Sequence, residues 1–240
     1  MLKGSSNYLR NQTLKNLAKA IFCLLLLSGI SLFLLFRIFT GAVGFIEEAL
    51  AVIALAPLVG FFVYLRKYHV YLGGWSGEKH VISLLQSTLS DKYYLINGLH
   101  FQDRRGDIDH VVLGPNGIFA IETKNWNGKI SCKGDTWKRE GKRHATGSGP
   151  SEQAKKNAGR VRHVIEGSRR FPFSVRVEPI VVFTNDHAEL RITNPTVAIL
   201  RLQQLPSYIM SYQNQNHSYS REYSAEQLEQ IGKEIVQQSK

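Results

Sequence analysis

Two apolar runs near the amino terminus constrain this chain more than any other feature. Residues 20–36 read AIFCLLLLSGISLFLLF and residues 49–65 read ALAVIALAPLVGFFVYL, with no Asp, Glu, Lys or Arg in either. Each is close to the ~20 residues that a helix needs to cross a hydrocarbon core. A cleaved signal peptide followed by a buried helix is the competing reading. Against it, the first run is long for the apolar part of a signal, and the second would still anchor the chain. Pro57 falls within the second run, a position that membrane helices tolerate better than soluble ones.

The flanking charges orient the pair. Lys3, Arg10, Lys15 and Lys19 precede the first run without an acid among them, and Arg66 and Lys67 follow the second. Glu47 and Glu48 lie between, with Arg37 at the edge. Basic flanks stay on the cytoplasmic side. The sequence therefore predicts a two-helix transmembrane hairpin in an inner or plasma membrane, with both termini cytoplasmic. The two cysteines, Cys23 and Cys132, form no disulfide framework and no Cys-x-x-Cys zinc pattern. That is consistent with a reducing compartment.

Beyond residue 70 the character changes. Gly73, Gly74 and Trp75 read as a linker or domain start. Val81, Ile82, Leu84, Leu85 and Leu89 predict a helix over 77–89 with Ser76 as its N-cap. Strands are expected at 93–96, 108–113 and 118–124, the last two joined by the strong turn signal Gly114-Pro115-Asn116-Gly117. A small hairpin is expected over 130–132 and 136–139. A basic, Gly/Ser-rich loop at 141–150 follows, then a helix over 151–168 with Ala154, Ala158, Val161 and Ile165 on one face. Further strands are expected at 175–183 and 196–200. Residues 211–223 are polar and weakly patterned, and Ser224 with Gln227 forms a capping-box pattern that opens a final helix. Helices flanking a mixed sheet make the fold class α/β.

The hairpin carries the chemistry. If Gly114 and Gly117 face each other, Val111 faces Ala120 and Asp109 faces Glu122. Alternation then puts Asp109, Glu122 and Lys124 on one face of the sheet. Opposed side chains lie roughly 5 Å apart at Cβ, and two carboxylates at that distance repel by about 3 kcal/mol at an effective dielectric of 20. A divalent cation or the neighbouring Lys124 ammonium would offset this, and oxygen ligands suit Mg²⁺ or Mn²⁺. A three-residue loop with a bulge at Gly117 would instead set Asp109 against Thr123. Asp107, on the same face as Asp109, is a second candidate acid. The plainer alternatives are a solvated Glu122–Lys124 ion pair, an Asp109 that only brackets the hairpin, and a Glu78 that only favours a first helical turn. His110, on the opposite face, reads as structural, and Trp126 as a packing residue.

The run from Gly106 to Trp126, GDIDHVVLGPNGIFAIETKNW, closely resembles the central motif of the nuclease-related domain (NERD) family. Gly77-Glu78 resembles the pair that opens the family's first helix, Pro150-Ser151-Glu152-Gln153-Ala154 its downstream Pro-x-x-Gln-Ala pattern, and Val181-Val182-Phe183-Thr184 its following strand. The family looks like a branch of the PD-(D/E)xK nucleases. The resemblance implies a restriction-endonuclease-like mixed sheet flanked by helices, preceded here by the transmembrane hairpin. It divides the chain into an anchor over 1–70, the nuclease-like domain over 73–190 and a C-terminal extension over 191–240. It also implies that Asp109 and Glu122, with the main-chain carbonyl of Thr123, bind Mg²⁺ or Mn²⁺. Lys124 would steady the attacking water or the developing charge, Glu78 would act as an outer ligand, and Gln153 would orient the phosphate or the water.

The chain has a net charge of +11, and the excess is concentrated after the hairpin. Lys129, Lys133, Lys138, Arg139, Lys142, Arg143, Lys155, Lys156, Arg160, Arg162, Arg169, Arg170 and Arg176 are met there only by Asp135, Glu140, Glu152 and Glu166. Such a stretch attracts polyanions. The expectation is a membrane-anchored, metal-dependent endo- or exonuclease that hydrolyses phosphodiester bonds in DNA. The nucleic acid would be held by Lys129, Lys138, Arg139, Lys142, Arg143, Lys155, Lys156 and Arg160, and a homodimer would suit a cut through two strands. The alternative is a non-catalytic module that keeps the fold and binds nucleic acid or anionic lipid.

Overall fold

A computed structural model of the chain describes residues 7–41, 44–101, 106–141, 149–168, 170–171, 174–213 and 222–239. Two compact units are present, Asn7–Trp75 and Ser76–Lys240.

The first unit is helical. Helix α1 spans Asn7–Phe39, α2 spans Phe45–Ile53, and α3 begins at Leu55 and runs to Thr88, beyond the unit. The break before Leu55 has a local cause. Pro57 has no N–H for the carbonyl of Ile53 and its ring crowds that oxygen, so the helix cannot run on unbroken from α2. Two stretches, Tyr8–Phe39 and Glu48–Thr88, are long and apolar enough to cross a membrane, and 6% and 0% of their apolar windows are buried. Leu25, Leu32, Leu35, Phe36 and Phe62 are among the exposed apolar side chains.

The linker expected at Gly73-Gly74-Trp75 is overturned, because these residues lie inside α3, while the domain start expected there agrees with the boundary between the units after Trp75. Gly74 is there for close approach: a Cβ would sit 3.3 Å from Leu9 Cδ1 of α1. Ser76 is accordingly no N-cap, and Glu78 is no first-turn charge.

The second unit is a mixed sheet between helices. Strands β1 (Tyr94–His100), β2 (Asp107–Gly114), β3 (Gly117–Lys124), β6 (Val177–Phe183) and β8 (Ala198–Arg201) form a five-stranded sheet in the order β1-β2-β3-β6-β8. The first three are antiparallel, and β3-β6-β8 are parallel. A second sheet, β5-β4-β7, comprises Gly128–Lys133 (β4), Thr136–Arg139 (β5) and Ala188–Thr193 (β7). On one face of the large sheet Val111, Leu113, Ile118 and Ala120 meet α4 (Pro150–Gly167) and α6 (Ala225–Gln238) through Val161, Ile165, Ile231 and Ile235. On the other face Val112, Phe119, Ile121 and Val182 meet the end of α3 and α5 (Leu205–Ser211) through Val81, Leu85 and Ile209. Burial on both faces explains the nearly unbroken apolar run of β3 and β6. The capping box is present: Gln227 N–H donates to Ser224 Oγ at 3.2 Å, and Ser224 N–H donates to Gln227 Oε1 at 3.0 Å.

The β2–β3 turn also holds the C-terminal segment. Asn116 Nδ2 donates to the carbonyls of Ile209 at 2.6 Å and Tyr212 at 3.2 Å, at the end of α5. Tyr223 N–H donates to the Pro115 carbonyl at 2.9 Å. Asn116→Ala should therefore lower stability by about 1–3 kcal/mol, since it orphans carbonyls that the amide now satisfies. A chemical unfolding midpoint unchanged from wild type would refute this.

Candidate functional site

The hairpin register decides which acids meet. Gly114 pairs with Gly117, Leu113 with Ile118, Val111 with Ala120 and His110 with Ile121. This is the two-residue turn expected, and the bulged alternative is excluded. Continued alternation brings Glu122 to the α4 side of the sheet, where it is buried.

There Glu122 uses both oxygens. Oε1 accepts from Lys124 Nζ at 2.6 Å and Oε2 accepts from Asn157 Nδ2 of α4 at 3.0 Å. Arg160 Nη1 donates to Asn157 Oδ1 at 3.3 Å and its guanidinium lies 5.3 Å from the centre of the Phe101 ring. The Glu122–Lys124 pair is 10% and 15% exposed at its side chains, so it is not the solvated pair of the plainer reading. Asp109 Oδ2 accepts from the Thr123 main-chain N–H at 2.7 Å. Asp109 thus ties β2 to β3, as the bracketing alternative expects.

Glu78 enters from α3. It follows Gly77, where a Cβ would lie 2.7 Å from Thr184 Oγ1 and 3.2 Å from Asn125 Cβ. Glycine at that point lets the helix close on the ends of β3 and β6, and Glu78 is buried as a result.

The electrostatics tie the acids together. Burial, with the charges of Asp107 and Glu122, pushes the Glu78 carboxyl up to about 7. Burial, with the charges of Glu122 and Glu78, holds Asp109 well above the usual carboxylate range, against the opposing effects of the Thr123 N–H and Lys124. Four acids, Glu78, Asp107, Asp109 and Glu122, are therefore linked through their charges, with one ammonium among them. Such hard oxygen donors suit a divalent cation. Yet among the described residues no group of three or more His, Cys, Asp or Glu is arranged to hold a metal ion. The donor chemistry fits, while the side chains are engaged with one another.

The raised Glu78 carboxyl has a stability consequence of definite sign. In the native state it keeps its proton between about pH 4.5 and 7, where the unfolded chain has lost it. The native state is thus penalised as pH rises through this window. Glu78→Gln should match wild type near pH 4.5 and exceed it by about 3 kcal/mol above pH 7. A difference between the two unfolding curves that does not change with pH would refute this. Buried His110, lowered to about 3 by burial, acts oppositely by losing stability as pH falls below its ordinary value. Both proteins share that effect, so it cancels in the difference. The His110 ring pairs with Asn97 Oδ1 at 2.8 Å, as befits a structural residue.

The other expected residues fall in three groups. Gln153 is in the first turn of α4, one turn before Asn157. Lys142 and Arg143 lie outside the described residues. The remaining cations are mostly paired: Lys129 with Glu140 at 3.3 Å, Lys155 with Asp135 at 2.7 Å, and Lys156 with Glu152 at 2.7 Å. Arg139 donates to Asn127 and lies 5.6 Å from the centre of the Trp126 ring. Lys138 is exposed on β5. Arg160 is buried behind Asn157 rather than displayed on the surface. Arg170 and Arg176 find Glu234 and Glu178, acids from outside the basic stretch. Asn157 went unnoticed in the sequence, though a polar side chain in the apolar stripe of Ala154, Ala158 and Val161 was its signal. Trp126 packs on Phe183, as expected of it.

Residues 73–184 match the family model described as Nuclease-related domain. An uncharacterized protein of Bacillus anthracis is 32% identical over 81 residues, covering 32% of this chain and 38% of that relative. The match thus spans well under half of the relative's length. No solved structure matches the chain. The matched segment begins within α3, ends just after β6, and contains Glu78, Asp109, Glu122, Lys124 and Asn157. The chain thus carries a nuclease-related domain over residues 73–184.

Proposed function

We propose that this protein is a membrane-anchored, metal-dependent nuclease of the PD-(D/E)xK type that hydrolyses phosphodiester bonds in DNA. The observation that carries the reading is the meeting of Asp109, Glu122 and Lys124, with Glu78, at one end of the β2–β3 hairpin. Asp109 and Glu122, with the Thr123 carbonyl, would hold Mg²⁺ or Mn²⁺. When bound, such an ion lowers the pKa of water and offsets charge on the phosphate.

The chain's own residues do the rest. Lys124 sits beside Glu122, where its ammonium faces developing negative charge. Asn157 orients the Glu122 carboxylate and is itself oriented by Arg160. Glu78, buried beside these acids, would serve as an outer ligand of the ion. Gln153, in the first turn of α4, would orient the phosphate or the water. Exposed ion pairs such as Lys156–Glu152 contribute little and are screened by salt, so a nucleic-acid backbone can displace the acids and take the lysines. The two apolar helices anchor the protein in an inner or plasma membrane, with the basic flanks and the nuclease-like domain on the cytoplasmic side.

A second reading has a specific observation in its favour. Both oxygens of Glu122 and one of Asp109 are committed to internal hydrogen bonds. A binding module that keeps the fold for nucleic acid or anionic lipid would look the same. The test incubates the full chain in detergent with linear DNA, circular DNA and RNA, in Mg²⁺, in Mn²⁺ and in chelator. Metal-dependent cleavage supports the nuclease. Salt-sensitive binding without cleavage under any condition supports the module.

A further inference from the structure

Within the first unit the contacts of α1 with α3 run antiparallel. A Cβ at Gly60 of α3 would lie 3.1 Å from Cys23 Sγ of α1, and one at Gly74 would lie 3.3 Å from Leu9 Cδ1. Between these two contacts, Lys19 Nζ of α1 lies 5.3 Å from the centre of the Tyr64 ring of α3. Thr13, Asn16, Ala20 and Cys23 are buried along α1, at the three- and four-residue spacing that keeps one helix face on a neighbour.

Lys67 reaches the same ring, with its Nζ 5.8 Å from the centre. Two ammoniums from different helices thus gather on one aromatic side chain. The attraction of a ring for an exposed cation is weak and leaves the charge uncompensated. No acid answers them locally. Between residues 7 and 75 the acids are Glu47 and Glu48, which follow the far end of α1, about 30 Å of helix beyond Lys19. Lys15 and Arg66 add to the same excess. Position selects the anion. Lys19 immediately precedes the apolar run 20–36, and Tyr64 and Lys67 flank the end of the run 49–65. Tyrosine rings of membrane helices collect at the level of the lipid headgroups. Lysine stems lie along apolar surface while the ammonium stays in the polar layer, and both lysines are exposed. A lipid phosphate is the anion met at that depth, and basic pockets between membrane helices take anionic headgroups.

We propose that Lys19 and Lys67, gathered on Tyr64, bind the headgroup phosphate of an anionic phospholipid and so join α1 to α3 where the two helices leave the membrane. This rests on the reading of the apolar helices as a membrane anchor, and it holds whether or not the Glu122 cluster is catalytic.

The experiment reconstitutes the full chain in phosphatidylcholine vesicles and uses spin-labelled lipids to compare how strongly phosphatidylglycerol and phosphatidylcholine are held at the protein. Phosphatidylglycerol should be favoured by about fivefold or more, the effect of a single lysine near an anionic surface. Lys19→Gln with Lys67→Gln should remove the preference. Both side chains are exposed, and glutamine suits a helix as well as lysine does, so the fold is not at risk. Arg10→Gln with Lys15→Gln removes the same charge farther from the apolar run and should keep more than half of the preference. Excess inorganic phosphate should leave the lipid in place. Retention of the chain in the vesicles through alkaline carbonate tests the anchor separately. A retained chain overturns the proposal, and leaves the anchor standing, under any of four results: no preference in the wild type, a preference that survives Lys19→Gln with Lys67→Gln, an equal loss in the Arg10 and Lys15 variant, or displacement of the lipid by free phosphate. Release of the chain by carbonate overturns the anchor and the proposal together.

Discussion

Glu122→Gln is expected to lower metal-dependent cleavage by about 10²–10³-fold, the effect of removing one preorganised charge from a site that excludes water. The change is isosteric and removes the carboxylate that Lys124 and Asn157 both address. It also leaves Lys124, only 15% exposed at its side chain, without its counter-charge. Stability should therefore fall by about 1–3 kcal/mol. Adding Lys124→Met removes the stranded ammonium and should restore most of that stability without restoring cleavage. A double variant that regained activity along with stability would show that Glu122 acts only through the fold. Cleavage at the wild-type rate in Glu122→Gln alone would remove Glu122 from the chemistry.

Phe183→Ala should cost about 3–5 kcal/mol, the usual range for removing a buried phenyl ring. Phe183 is 1% exposed and ends β6 where the two sheets meet. Its ring centre lies 6.2 Å from that of Trp126 and 5.7 Å from that of Trp137. Trp137 in turn donates from Nε1 to Ser151 Oγ at 2.9 Å, fastening the small sheet to α4. Phe183 also pairs with Lys124 in the β3–β6 ladder, so the cavity would open beside the candidate site. Phe183→Leu keeps much of the volume and should cost clearly less. Chemical unfolding followed by tryptophan fluorescence measures both. A loss below about 1 kcal/mol for the alanine variant would mean that the joint relaxes to fill the space.

The parts of this structure that sequence alone determined rest on neighbouring residues. The turn residues Gly114-Pro115-Asn116-Gly117 were enough to announce the β2–β3 hairpin, whereas the choice between its two registers fell to the structure. Ser224 and Gln227 announced α6 because the capping box is closed within four residues. The apolar run at 20–36 likewise announced the long helix α1, whereas the run at 49–65 is divided between α2 and α3.

Tertiary structure decided what depends on distant partners. Gly73 and Gly74 read as a linker because glycine weakens isolated helices. They lie within α3, where at Gly74 the missing Cβ accommodates Leu9. Strand β7 was not foreseen, since its parallel partner β4 lies about 60 residues earlier, and α5 is a short helix whose end is held by Asn116. The basic stretch was legible as charge, but its pairing with Glu178 and Glu234 was not. The site divides in the same way. Asp109, Glu122 and Lys124 share one hairpin, so local alternation brings them together. Glu78, Asn157 and Arg160 arrive on helices, and only the packing of α3 and α4 against the sheet sets which side chains reach the Glu122 carboxylate and which charges burial shifts.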